Sequence, residues 1–107
     1  MKLITEEIKT KLASNKGDAN VDKPYLKLFN PAGSGTWLIT EIVDEDTLFG
    51  LCDLGMGFPE LGYVSLQELE SIELPFGLKI ERDMYFTPDK TLSEYTELAR
   101  QHQEIVT

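Results

Sequence analysis

Between Pro24 and Val64, short apolar runs alternate with turn clusters that are too short to contain a helix. Tyr25–Phe29 is separated from Thr36–Val43 only by Asn-Pro-Ala-Gly-Ser-Gly, and Thr36–Val43 from Thr47–Cys52 only by Asp44-Glu45-Asp46. A parallel pair needs a crossover of roughly a dozen residues, whereas an antiparallel pair closes through a tight turn. The spacing therefore predicts consecutive antiparallel hairpins. Gly50, inside the third run, predicts a bulge or a close approach of two backbones. Residues 54–62 carry three glycines and one proline and read as a loop with apolar side chains, leaving only a short extended piece at Tyr63–Val64.

The flanks read differently. Thr5 followed by Glu6 and Glu7, with Ile4, Ile8 and Leu12 at spacings of four, predicts a short amphipathic helix ending near Ala13. Residues 14–22, small and polar, have the composition of a mobile loop. Ser65-Leu66-Gln67-Glu68 predicts a capping box opening a helix over Leu66–Ser71, which Leu74-Pro75-Phe76-Gly77 ends. Leu78–Phe86 begins with strand alternation that puts Leu78, Ile80, Arg82 and Met84 on one face. Thr91-Leu92-Ser93-Glu94 is a second capping box, opening a helix over Leu92–Ile105 with Leu92, Tyr95, Leu98, Ala99, His102 and Ile105 along one stripe. The sum is a single α+β domain over residues 1–107. Its antiparallel sheet has about four strands, drawn from Tyr25–Phe29, Thr36–Val43, Thr47–Cys52 and part of Leu78–Phe86, packed with N- and C-terminal helices and a short central helix.

Charge is distributed unevenly. Nineteen acids against ten Lys and Arg give a net charge of -9. No Lys or Arg lies between Lys27 and Lys79, while Glu41, Asp44, Glu45, Asp46, Asp53, Glu60, Glu68, Glu70 and Glu73 all do, so the remainder of the chain is neutral. Direct nucleic-acid binding needs clustered cations that this half lacks, and its field repels phosphate. A basic protein partner is the complement expected of these nine acids. The start of the chain has no apolar signal region and no apolar run approaches the ~18 residues of a membrane span, so the expected location is the cytoplasm, away from membrane.

Catalytic patterns are sparse. His102, the single histidine, falls near the end of a terminal helix, and Cys52, the single cysteine, ends a strand beside Asp53, where burial and a carboxylate both keep a thiol protonated. A calcium loop starting at Asp44 fails, with Phe49 where glycine is needed and Gly55 where glutamate is needed. No phosphate-binding glycine motif occurs, and no cofactor is expected. Trp37, Tyr63, Tyr85 and Phe86 read as core, since no neighbouring cation would hold a nucleic-acid backbone beside them. Arg82, on an apolar face, requires a partner, and a structural ion pair with Glu41, Asp46 or Glu60 is expected.

Met1-Lys2-Leu3-Ile4-Thr5, Thr36-Trp37, Thr40-Glu41, Asp46–Leu51, Glu60–Glu70 and Gly77–Phe86 resemble, in this order, the domain-of-unknown-function family 2958. The resemblance covers nearly the whole chain. It implies a small bacterial protein of plasmids, integrative elements and phages, carried beside anti-restriction and conjugation genes, and it implies no catalytic residues. Two function classes follow. One is a non-enzymatic acidic interaction protein, an anti-defence inhibitor occupying the basic nucleic-acid-binding surface of its target; the other is a small ligand-binding or carboxylate-based enzymatic module.

Overall fold

The short turns close as hairpins. In a computed structural model that describes residues 2–107, β1 (Leu26–Phe29), β2 (Thr36–Ile42), β3 (Thr47–Asp53) and β4 (Glu60–Ser65) form an antiparallel meander, and β5 (Glu81–Arg82) adds to the outside of β1. The sheet order is β4-β3-β2-β1-β5, flanked by α1 (Glu6–Ala13), α2 (Leu66–Ser71) and α3 (Leu92–His102). The class is α+β as the sequence predicts, with five strands among the described residues. The extra strand is β4, whose amides find β3 although its own sequence is broken by glycine and follows proline. In turn, the run at 78–86 contributes only Glu81–Arg82 to the sheet.

Register sorts the core into two faces. Leu26 lies opposite Ile39 and Leu28 opposite Trp37, and these join Leu48, Leu3, Ile4, Leu12, Leu69 and Ile80 in one buried cluster under α1 and α2. On the other face Leu38 lies opposite Leu51, and both pack beneath Leu92, Tyr95 and Ala99 of α3. Gly50 lets β2 and β3 approach closely: a Cβ there would stand 1.9 Å from the Leu38 carbonyl oxygen. The bulge itself falls on the facing strand, between Ile39 and Glu41.

Caps set the helices. Thr5 Oγ1 accepts from Ile8 N–H, and in α3 both halves of the Thr91–Glu94 box form. That helix stops at His102, earlier than its stripe suggests, because Gln103 turns left-handed with φ 59°; Ile105 reaches the same core from beyond the helix.

The segment 14–22 corrects the expectation of a mobile loop. Asp22, 3% exposed, accepts from the amides of Lys16, Gly17 and Asp18, while Asn15 donates to the carbonyls of Lys23 and Thr40. Its polar residues are spent on backbone groups, which pins the loop.

Two aromatics also depart from the core reading. Trp37 is 5% exposed and Phe86 packs against Tyr95, but Tyr63 is 68% and Tyr85 92% exposed. Arg82 lies opposite Leu28 in register, on the face that Ile80 shares, as alternation predicts. Its Nη1 donates to the main-chain carbonyls of Lys2 and Leu3, tying the sheet edge to the chain start. Glu60, one of the carboxylates expected beside it, stands on the opposite edge of the sheet.

Candidate partner-binding surface

The nine central acids separate by what their oxygens do. Asp44 Oδ1 accepts from the amides of Asp46 at 2.9 Å and Thr47 at 2.8 Å, closing the β2–β3 turn; these backbone hydrogen bonds hold its carboxyl below the ordinary range. Asp46 fastens that turn to α2. Its Oδ1 accepts from Gln67 N–H at 2.7 Å, its Oδ2 from the Ser65 hydroxyl at 2.5 Å, and its carbonyl from Leu66 N–H at 2.7 Å. The capping box read at Ser65 is thus half formed: Ser65 Oγ accepts from Glu68 N–H, and the second capping carboxylate is Asp46 of the β2–β3 turn, which takes the Gln67 amide.

Asp53 is turned inward at 6% exposure, where its two oxygens accept from Gly55 and Ile105 amides at 2.8 and 2.9 Å. It ties the β3 end to the C-terminal tail, and so presents nothing to a partner. Glu41 is half-buried, with an oxygen close to Gly17. The remaining acids, Glu45, Glu60, Glu68, Glu70 and Glu73, are exposed, as is Asp44. Fastening the turn to α2 brings Glu45 and Asp46 toward Glu68 around the end of β4, while Glu60 stands at the other end of that strand. Asp44, Asp46 and Asp53 therefore serve the fold, and the exposed glutamates carry the charge outward.

Between the ends of β4 the surface is apolar. Leu61 and Tyr63 pair with Leu51 and Phe49 across the ladder and lie on the α3 face, beyond the helix's reach. They are 39% and 68% exposed, Phe58 in the preceding loop is 77% exposed, and the Tyr63 ring lies 5.0 Å from that of Phe49. Phe58, Pro59, Glu60 and Leu61 form one wall of an open cleft whose other wall is Arg100 of α3 and Gln103 just past its end. This apolar strip was not marked by the sequence reading, although an apolar residue on either side of Gly62 is a detectable signal.

A polar cleft of about 500 Å³ lies between residues 30–36, the 53–57 loop and the C-terminal tail, with Lys27, Asp53 and Asp83 in its walls. Lys27 and Asp83 are paired at 3.5 Å and Asp53 is spent as described, which leaves the exposed Glu104 of the tail as the other charged group in its lining. Cys52 is partly buried, and burial pushes its thiol up to about 11. His102 is exposed on the last turn of α3. Among the described residues no three His, Cys, Asp or Glu side chains converge as a metal-binding group, and no helix is long and apolar enough to cross a membrane.

No curated protein and no solved structure matches the chain. The family model described as "Protein of unknown function (DUF2958)" matches residues 3–106, from the buried Leu3 beneath Arg82 to the tail tied down by Asp53; the chain belongs to that family.

Proposed function

We propose that this is a non-enzymatic interaction protein of a bacterial mobile element, an anti-defence inhibitor whose acidic surface occupies the basic, nucleic-acid-binding face of its target. The observation that carries this reading is the charge polarity: the half of the chain between Lys27 and Lys79 contains no cation, and its glutamates at 45, 60, 68, 70 and 73 are exposed and free of the turn and cap duties that occupy its aspartates. Presented together, such charges speed encounter with a basic partner and reject nucleic acid itself. The alternative of a carboxylate-based ligand or catalytic module is the weaker reading, because Asp44, Asp46 and Asp53 accept from the chain's own amides.

The test is capture of partners from a bacterial lysate at low salt, followed by association kinetics with the purified partner. Reversing Glu45, Glu68, Glu70 and Glu73 to Lys should slow association at least about tenfold and flatten its salt dependence while the chain stays folded, with a melting temperature no lower than that of the parent. A partner whose affinity ignores both salt and the reversal would return the carboxylate module to first place.

A further inference from the structure

We propose that β4 is a docking edge that takes up an extended, basic segment of the partner as a sixth strand. The inference rests on the reading of the chain as an acidic interaction protein and names the part of the partner that it grips.

The two edges of the sheet are treated differently. The β5 edge is two residues long and is tied through Arg82 to the carbonyls of Lys2 and Leu3. The β4 edge is six residues long, and among the described residues no strand lies beyond it. An edge strand presents alternate N–H and C=O groups outward, and proteins usually blunt such edges with Lys, Pro, a bulge or a cover. Within β4 there is no Lys or Pro, its pairing with β3 runs without a register shift, and the sheet face over Gly62 is open.

The side chains then define the occupant. Leu61 and Tyr63 offer an apolar strip on one side, continued by Phe58, so the incoming segment should alternate with apolar residues on that side. Carboxylates bracket the strip: Glu60 at the start of β4 and Glu68 just past its end, the strand between them spanning about 17 Å at the rise of an extended chain. Cations at both ends of the incoming segment would meet them. A second copy is the poorer fit. Antiparallel self-pairing would set Glu60 of each chain against the Glu68 end of the other, between bodies of net charge -9.

The experiment uses the whole chain and a blocked peptide, Lys-Val-Thr-Val-Thr-Val-Lys, with two further versions N-methylated on one or the other set of alternate amides. Only one set of amides can face β4, so one N-methylated peptide should bind like the parent and the other at least about tenfold more weakly. The parent peptide should also slow hydrogen exchange in 60–65, and Tyr63→Lys, at an exposed position, should weaken it. If all three peptides bind alike and lose affinity together with salt, attraction is by charge alone: the strand proposal falls while the acidic-interaction reading stands. If neither these peptides nor a Lys-Ser peptide of equal charge binds at low salt, both readings fall. A dimer in sedimentation velocity with 60–65 protected in the absence of peptide overturns the proposal in favour of a second copy.

Discussion

Phe76 occupies a left-handed conformation, φ 63° and ψ 25°, with its side chain 97% exposed. A side chain in that region costs about 1 kcal/mol, and here no burial offsets it. Phe76→Gly should therefore raise stability by about 0.5–1 kcal/mol in urea unfolding, against the usual direction for a glycine substitution. Gly50 is the reverse case. Gly50→Ala would drive a methyl into the Leu38 carbonyl, and a loss of about 3 kcal/mol or more is expected from the same measurement; an unchanged midpoint would contradict the close approach. Gly50 was legible in the sequence because glycine amid β-formers needs a reason. Phe76 was not, since Pro75-Phe76-Gly77 suggests that Gly77 alone takes a positive φ, whereas both residues do. Cys52 was legible too. With its thiol raised from an ordinary 9.0 to about 11 by burial, roughly 100-fold less of it is thiolate at pH 8, and alkylation by iodoacetamide should be slower than in the unfolded chain by about that factor.

Local sequence rules served the helices well and one strand badly. Thr91 and Glu94 announce α3 because a capping box is written within four residues, and Thr91→Ala should cost about 1 kcal/mol. The Thr91 amide hydrogen bond holds the Glu94 carboxyl below its ordinary 4.5. A carboxylate depressed on folding stabilises above 4.5 and ceases to do so as pH falls through its lowered value, so the melting temperature should drop in that acid range and Glu94→Gln should make the drop smaller. α2 was placed correctly, but its second cap ligand was hidden. Asp46 lies 19 residues from Ser65 and meets it only when β3 and β4 pair. Asp46→Ala should accordingly destabilise by about 1–2 kcal/mol, more than Glu68→Gln at an exposed site. β4 was read only as a short extended piece at Tyr63–Val64, outside the sheet, for a related reason: Gly62 and the glycines and proline before it lower its own propensity, and the ladder to β3 supplies what the local sequence lacks. The exposed apolar strip was missed with it, whereas the acids around it could be counted directly.

At the scale of the molecule, class and hairpin order followed from link lengths, and the charge polarity from the absence of Lys and Arg over half the chain. What link lengths could not specify is how the two ends meet the sheet. Net charge of -9 also acts on the fold itself through self-repulsion, so raising salt from low to physiological should lift the melting temperature by roughly a few degrees, and Glu45→Gln with Glu70→Gln and Glu73→Gln should reduce that response. The sheet order carries one more consequence, for synthesis on the ribosome. β1 lies inside the sheet but emerges early, and its outer neighbour β5 is more than fifty residues later. The Leu3 carbonyl waits for Arg82, Asp22 for Leu92, and Asn20 for Ser93. At roughly 5–20 residues per second, a nascent chain therefore spends about 1–6 s with a β-meander able to form while one flank of β1 and the segments before and after the N-terminal helix lack their partners, an interval in which chaperones would find it and a prematurely terminated product would be left for proteases.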